Sequence, residues 1–179
     1  GPYPHSYYVV DLSADGRTAL LVSYGDDLTS FSLLDLPTMS MTAIPAPSTA
    51  WNVQFSRDDR SLLIEDHVTT QQPDGGWLVE RIALSRTALD GTDSQTLVDL
   101  RVPPEQQLSG WFFSYVERDS GEFATIELGV AWLRSPDGLP IRRLQPPNDQ
   151  CSVVKQWPDG DILVRCPDPS VEPGCWTNG

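Results

Sequence analysis

The segment 11–36, DLSADGRTALLVSYGDDLTSFSLLDL, decides the fold, because much of its pattern returns in the segment 54–67, QFSRDDRSLLIEDH. In both segments a strand ends in an apolar residue and Ser, a turn that contains Asp follows, and a second apolar strand comes next. Asp15 and Asp58, which occupy equivalent positions in the two turns, are 43 residues apart. A repeat of this length indicates that one structural unit occurs more than once in the chain.

The residues around these turns follow the patterns of β-strands. Residues 51–55, WNVQF, alternate apolar and polar, which predicts a strand with one buried face, and residues 60–66, RSLLIED, predict a more buried strand. The same order of strand, turn and strand occurs around Asp119 and again around Asp159. No segment shows the periodicity of an amphipathic helix. The sequence therefore predicts an all-β fold.

Each of the first three hairpins is followed by two further strands, so that the unit has four antiparallel strands. Units of this kind at intervals of about 40 to 50 residues are typical of the blades of a β-propeller, which stack on one another to bury their faces. We predict a partial β-propeller-like array, with blades at about 7–47, 48–102 and 103–147 and an incomplete blade at 148–179. A β-sandwich is the alternative, since short strands at regular spacing also suit that fold.

Composition narrows the classes of partner. The 179 residues include 12 basic and 25 acidic side chains, and the formal net charge of -13 argues against nucleic acid, whose phosphates are bound by Lys and Arg. No apolar run approaches the roughly 20 residues that a membrane-spanning helix needs. Gly1 and Pro2 match the remnant of a cleaved tag, so we take residues 3–179 as a single propeller-like domain.

Three cysteines, Cys151, Cys166 and Cys175, lie in the last 29 residues, and their spacing matches no zinc-site template. A hairpin that turns at 157–160 would place Cys151 opposite Cys166, which allows a disulfide between them. A disulfide between Cys166 and Cys175 and three reduced thiols are the alternatives that remain open. A disulfide would indicate a location outside the cytosol.

The pattern DLSADGRTALLVS…FSLLDL, together with QFSRDDRSLLIED, resembles the WD40-like repeats of TolB-type and related bacterial propellers. The resemblance covers residues 7 to about 166 and is strongest in the first two copies. It implies the fold but no single function, because such blades occur in periplasmic scaffold proteins, extracytoplasmic sensor domains and the gating domains of prolyl-oligopeptidase-like enzymes. An extracytoplasmic or secreted location, including the outer domain of a membrane-anchored protein, is what the resemblance implies.

Propellers of this family close with about six or seven blades, whereas this chain offers about three and a half. An incomplete array exposes blade faces and a strand edge, and exposed edges pair readily with other chains. We therefore expect the remaining blades, another protein or a second copy of this chain to cover them.

Motifs of common enzymes are missing from the chain: it has no G-x-S-x-G elbow, Gly-rich phosphate loop or H-E-x-x-H. We expect a non-enzymatic interaction or sensor domain of a larger bacterial protein that binds a protein or small ligand through propeller rim loops, without a cofactor. The alternatives are the non-catalytic propeller of a prolyl-oligopeptidase-like hydrolase and a calcium- or sugar-binding propeller.

The rim, formed by the loops between second and third strands and between blades, is the expected binding surface, because loops on a rigid scaffold usually carry function. These loops are predicted at 24–27, 45–49, 66–76 and 102–109. Their candidate ligand-binding residues are Tyr24, Asp26, Asp27, Asp66, His67, Gln72 and Asp74.

Neither acidic cluster of the rim has the spacing of a metal site. Glu65, Asp66 and His67 could form an acid-base or metal pair, but they lack a third convergent ligand, and the pair Asp26 and Asp27 lacks the spacing of a calcium loop. No metal site is therefore predicted. The six tryptophans could supply aromatic binding anchors, but their positions at the starts and ends of strands favour packing between blades.

Overall fold

The structure is a computed structural model of the chain. It describes residues 6–24, 29–47, 49–104 and 113–144 and two later strands. Within these ranges, no helix is long and apolar enough to cross a membrane.

Fourteen strands are described, and the first twelve form three sheets, each of which is a blade. The first blade contains β1 (Tyr7–Leu12), β2 (Thr18–Tyr24), β3 (Thr29–Asp35) and β4 (Ser40–Ile44). The second blade contains β5 (Ala50–Phe55), β6 (Ser61–Gln71), β7 (Trp77–Ala88) and β8 (Ser94–Arg101). The third blade contains β9 (Phe113–Glu117), β10 (Phe123–Glu127), β11 (Val130–Arg134) and β12 (Pro140–Leu144). A fourth hairpin pairs β13 (Ser152–Gln156) with β14 (Ile162–Arg165).

Each blade is a meander, in which neighbouring strands are consecutive in the chain and antiparallel. This topology confirms the prediction of an all-β, partial propeller of four-stranded antiparallel blades. A β-sandwich, whose strands cross between two facing sheets, does not describe it.

The predicted loop at 66–76 is wrong over its first half. Strand β6 continues to Gln71 and pairs with β7 as far as Trp77, beyond the ends of β5 and β8. The turn is confined to 72–76, where the N–H of Gly75 donates to the carbonyl of Gln72 at 3.0 Å. The run Val68 to Thr70 consists of β-branched residues, which favour extended strands, and this explains why the chain stays paired here.

The repeated turn closes on the same hydrogen bonds in the first two blades. The Ser13 hydroxyl donates to Asp15 Oδ1 at 2.7 Å, and the Ser56 hydroxyl donates to Asp58 Oδ1 at 2.6 Å. Each of these carboxylates also accepts the backbone N–H of the arginine two residues later. These hydrogen bonds lower the pKa of both carboxyl groups. The N–H of Arg17 has the largest effect on Asp15, and the hydroxyl of Ser56 has the largest effect on Asp58. The Ser-x-Asp spacing is therefore what makes the two segments alike.

The blades pack face to face through alternating apolar side chains. Leu20 and Val22 of β2 share one buried cluster with Leu62 and Ile64 of β6. Leu63, which lies between them on β6, points to the other side and packs in a second cluster with the third blade. Residues 62–64 are thus buried on both faces, as the apolar centre of the run 60–66 predicts. Each such side chain contributes about 1.5–3 kcal/mol on burial.

Carboxylates connect one blade to the next. The order of each sheet makes β1, β5 and β9 edge strands, so the N–H groups on their outer side have no partner within the sheet. Side chains of neighbouring blades supply acceptors for N–H groups at these edges and at the turns that follow them. The pairs are Phe55 N–H with Asp11 Oδ2 at 2.8 Å, Ala14 N–H with Asp59 Oδ2 at 2.7 Å, and Arg57 N–H with Glu117 Oε2 at 2.7 Å.

Two arginines form largely buried ion pairs around the third blade. Arg86 of β7 reaches across from the second blade and lies 2.7 Å from Glu117 Oε1, with its guanidinium 5.1 Å from the centroid of the Phe123 ring. Arg134 binds both oxygens of Glu127 at 2.6 and 2.7 Å, and the hydroxyl of Thr125 donates to the same carboxylate. These contacts satisfy polar groups that would otherwise destabilise the core.

Several sequence predictions fall outside the described residues. They are the tag remnant at Gly1 and Pro2, the pair Asp26 and Asp27, and the three cysteines with their alternative disulfides.

Replacing Gly138 by alanine is expected to destabilise the protein by about 3 kcal/mol, because overpacking adds to the cost of a left-handed residue. A Cβ at Gly138 would lie 2.1 Å from the carbonyl oxygen of Leu97 in the neighbouring blade, and its φ is +82°. Gly129→Ala is the matched control, because φ is +81° there and no atom lies within 4 Å of the added Cβ. It should cost only about 1–2 kcal/mol. Urea unfolding measures both values, and equal losses would contradict this contact between the blades.

Candidate functional site

Trp51 lies at a β-bulge on the first strand of the second blade. The register of β5 against β6 shifts between Ala50 and Asn52, so that Trp51 has no partner in the ladder. Its side chain is 72% exposed, whereas Val53 and Phe55 are buried. The alternation of residues 51–55 therefore holds only after the bulge, and the assignment of Trp51 to packing between blades is wrong. Bulges redirect side chains and occur frequently beside functional sites.

A histidine and a glutamate hold the Trp51 indole in place. The indole stacks on the imidazole of His67, with ring centroids 5.1 Å apart and planes at 2°. Nε2 of His67 lies 2.6 Å from Oε1 of Glu65, and the two side chains are only 13% and 9% exposed. The backbone N–H of His67 also donates to the backbone carbonyl of Thr49 at 3.2 Å. The exposed indole of Trp51 thus packs against a buried imidazole that is itself held by a hydrogen bond to Glu65.

Two clefts flank Trp51. The first cleft lies between the first and second blades, has a volume of about 330 Å³, and is lined by Val10, Val22, Tyr24, Thr29, Phe31, Ala50, Trp51, Asn52 and Val53. The second cleft lies between the second and third blades, has a volume of about 320 Å³, and is lined by Trp51, Asn52, Gln54, Glu65, Phe113, Ser114 and Tyr115. Both volumes lie at the lower end of the range for ligand pockets, about 300–1,000 Å³. A ligand in either cleft would contact the same indole.

Tyr115 lines the second cleft, and its hydroxyl is buried beside that cleft. No described residue meets hydrogen-bond geometry with this hydroxyl. Burial raises the pKa of Tyr115 far above its ordinary value, and the negative charges of Glu65, Asp11 and Glu117 raise it further, while the nearby Asn52 side chain lowers it. The phenol therefore stays protonated at neutral pH.

The structure distributes the predicted binding residues that it describes over four places. Tyr24 lines the first cleft, where its ring centroid lies 5.9 Å from that of Tyr8. His67 lies beneath Trp51 beside the second cleft. Asp66 follows Glu65 in β6 and so points to the opposite face, which separates it from the pair of Glu65 and His67.

The other two predicted residues lie at the turn of the β6–β7 ribbon. Oδ1 of Asp74 accepts the N–H of Gly76 at 2.9 Å and so closes the turn, and Gln72 is half-buried beside it. Asp66 and His67, predicted in the same loop, belong instead to β6. Across the described ranges, no group of three or more His, Cys, Asp and Glu side chains could hold a metal ion.

Sequence reasoning missed the aromatic residues of the site. Trp51, Phe113 and Tyr115 come from strands of different blades, and no local pattern links positions so far apart. Trp77 is also exposed, at 66%, whereas Trp132 is half-buried as packing between blades would require. The bulge at Trp51 could not be predicted from the sequence. The residues 51–55 are compatible both with a regular alternating strand and with a strand that contains a bulge.

Solved structures with a similar fold include propellers of peptidases. An acylaminoacyl peptidase in complex with Z-Gly-Gly-Phe-chloromethyl ketone is 12% identical, with a TM-score of 0.63 over 88% of this chain and 28% of that chain. The β-propeller domain of the Trilobed protease from Pyrococcus furiosus is 15% identical, with a TM-score of 0.57 over 92% and 50% of the two chains. An uncharacterized protein from Listeria monocytogenes EGD-e is 16% identical, with a TM-score of 0.50 over 91% and 51%. No protein-family model and no curated protein matches the chain.

These similarities define the class of the protein. The fold is that of a β-propeller, and the resemblance to WD40-like, TolB-type repeats is confirmed at the level of the fold. The chain spans 28% of the acylaminoacyl peptidase and about half of the other two chains. Because fold does not determine function, the activities of those proteins are not thereby assigned to this one.

Replacing Tyr115 by phenylalanine is expected to leave stability unchanged or to raise it by up to about 1 kcal/mol, because the hydroxyl that it removes is buried without a partner. Thr125→Val is the matched control, since it removes a buried hydroxyl that donates to Glu127 and should cost about 1–3 kcal/mol. Urea unfolding compares the two variants. A Tyr115→Phe loss as large as that of Thr125→Val would show that the Tyr115 hydroxyl already has a partner.

Proposed function

We propose that this chain is a non-enzymatic recognition domain of a larger extracytoplasmic protein, and that its rim binds a protein or a small ligand. The observation that carries the proposal is the environment of Trp51. Its indole is 72% exposed, is held from one side by His67 and Glu65, and is shared by two clefts of ligand size. Tryptophan is enriched among the residues that contribute most to binding interfaces.

The polar groups of the second cleft support recognition more than catalysis. Glu65 and His67 form a pair, which is the arrangement that orients a general base. Ser114 lines the same cleft, yet within the described part of the chain no hydrogen bond joins its hydroxyl to His67. A nucleophile and its base need to be within hydrogen-bond reach. The pair is instead positioned to support the indole.

A second candidate function is that of the non-catalytic propeller in a prolyl-oligopeptidase-like hydrolase. The similarity in fold to an acylaminoacyl peptidase and to the Trilobed protease propeller favours it. Assay of the complete gene product against chromogenic peptide substrates tests this candidate. Cleavage by the complete product, lost on replacing a serine outside this chain, would support it, whereas no cleavage of any substrate would count against it.

A calcium- or sugar-binding propeller is a third reading of the rim. Against calcium binding, the described residues contain no cluster of three candidate ligands. Its sugar form predicts that glycans contact Trp51, because a sugar ring can lie flat on an indole. The binding experiment below includes glycans for this reason.

We also propose that further blades, contributed by another segment or by a second copy of the chain, pack beside the first blade. The support is the exposure of β1, in which Val9 and Leu12 are 61% and 53% exposed. Apolar side chains in a row on an edge strand favour association. Light scattering that returns twice the chain mass of 19.8 kDa would support a dimer, and the chain mass would exclude it.

Trp51→Ala is expected to weaken binding at the rim, whereas Trp77→Ala is expected to leave it intact. Both side chains are largely exposed, but Trp77 lies on the β6–β7 ribbon and lines neither cleft. Labelled protein is applied to arrays of peptides and glycans, and affinities for the strongest probes are then measured by titration. A loss of at least about tenfold in Trp51→Ala alone is expected, since losing one central aromatic contact costs 2 kcal/mol or more. Equal effects of the two variants would contradict the assignment of the site.

A further inference from the structure

We propose that the second cleft binds the guanidinium group of an arginine side chain presented by a peptide or protein partner. The inference rests on the proposed function, because it takes the rim as the binding surface and names the ligand chemistry of that surface. Three properties of the cleft support it: the sign of its charge, its excess of acceptors and its aromatic walls.

The charge of the cleft is negative. Glu65 is the one charged residue among its lining residues, which include no lysine or arginine. Oε1 of Glu65 is bound to His67, and among the described contacts Oε2 has no hydrogen-bond partner. Asp11 also lies near enough to act electrostatically on Tyr115 in the same cleft, whereas Arg86 compensates the charge of Glu117. The net charge of -13 adds a long-range attraction for cations.

The cleft offers acceptors that are still available. One is the second oxygen of Glu65, Oε2, whereas the phenolic oxygen of Tyr115 is buried beside the cleft and out of reach of a ligand. Asn52 and Gln54 line the cleft with side-chain amides, whose carbonyl oxygens accept hydrogen bonds. A guanidinium has five N–H donors and no acceptor, so it complements a set of unused acceptors around one carboxylate.

The walls of the cleft are aromatic. Trp51 stands on one side, and the rings of Phe113 and Tyr115, 5.8 Å apart, stand on the other. Cations bind to aromatic faces, best to tryptophan, and a planar guanidinium can also stack on the ring. Because His67 covers one face of the indole, the ligand would take the other face. Stacking of this kind favours arginine over the compact ammonium group of lysine.

The test measures the affinity of the full chain for the capped peptide Gly-Arg-Gly by calorimetry at low ionic strength. The matched probes replace arginine by citrulline, which keeps the shape of the side chain without its charge, or by lysine, which keeps the charge without a planar group. The arginine peptide is expected to bind at least about tenfold more tightly than either. Trp51→Ala and Glu65→Gln should each weaken its binding at least about tenfold, and Trp77→Ala should not change it.

Gln54→Leu is the second variant, because it removes one amide acceptor that lines the cleft from a half-buried position and so leaves the fold intact. It should weaken binding of the arginine peptide. Equal affinity for arginine and lysine, or for arginine and citrulline, would overturn the proposal, as would binding that survives Glu65→Gln. Failure to bind the arginine peptide would overturn it as well. If an array probe still depends on Trp51 in any of these cases, the proposed function stands without the guanidinium; if none does, both fall.

Discussion

Everything in this structure depends on carboxylates that cross from one blade to the next. A four-stranded blade has an edge at its first strand, where backbone N–H groups point away from the sheet. Asp11 supplies the acceptor for Phe55, and Glu117 supplies the acceptor for Arg57. Hydrogen bonds to charged groups contribute about 1.5–3 kcal/mol each and have a preferred direction. Apolar faces alone would allow the blades to slide, whereas these bonds fix their register.

The clefts on either side of Trp51 are consequences of that register. Each is bounded by two blades, so its shape exists only when the first strands are held at a fixed offset. Glu117 is involved both in the contacts between blades and in the surroundings of the second cleft. It accepts the N–H of Arg57 and binds the guanidinium of Arg86, and its charge also acts on Tyr115. The carboxylates that join the blades therefore also act on Tyr115, a lining residue of the second cleft.

The sequence predicts the parts of this architecture that are encoded locally. Ser13 with Asp15 and Ser56 with Asp58 specify a turn through bonds within five residues, and the apolar run 60–66 requires burial on both faces. The site is different, because Trp51 and Tyr115 meet only after three blades have stacked. The bulge at Trp51 is equally hidden, since the choice between alternation and a bulge depends on how Ala50 fits the neighbouring blade. Tyr24 and His67 are both predicted at strand ends, and the structure places Tyr24 at the end of β2 but His67 within β6.

Hydrogen exchange at the Phe55 and Arg57 amides tests most directly whether carboxylates join the blades. Neither amide has an acceptor within its own sheet, so protection can come only from Asp11 and Glu117 of the neighbouring blades. We expect both amides to exchange as slowly as amides of the β6 ladder, and Asp11→Ala to release Phe55 while Arg57 stays protected. Exchange of both amides at the rate of an unfolded chain, with β6 still protected, would show that the blades are not joined in this way.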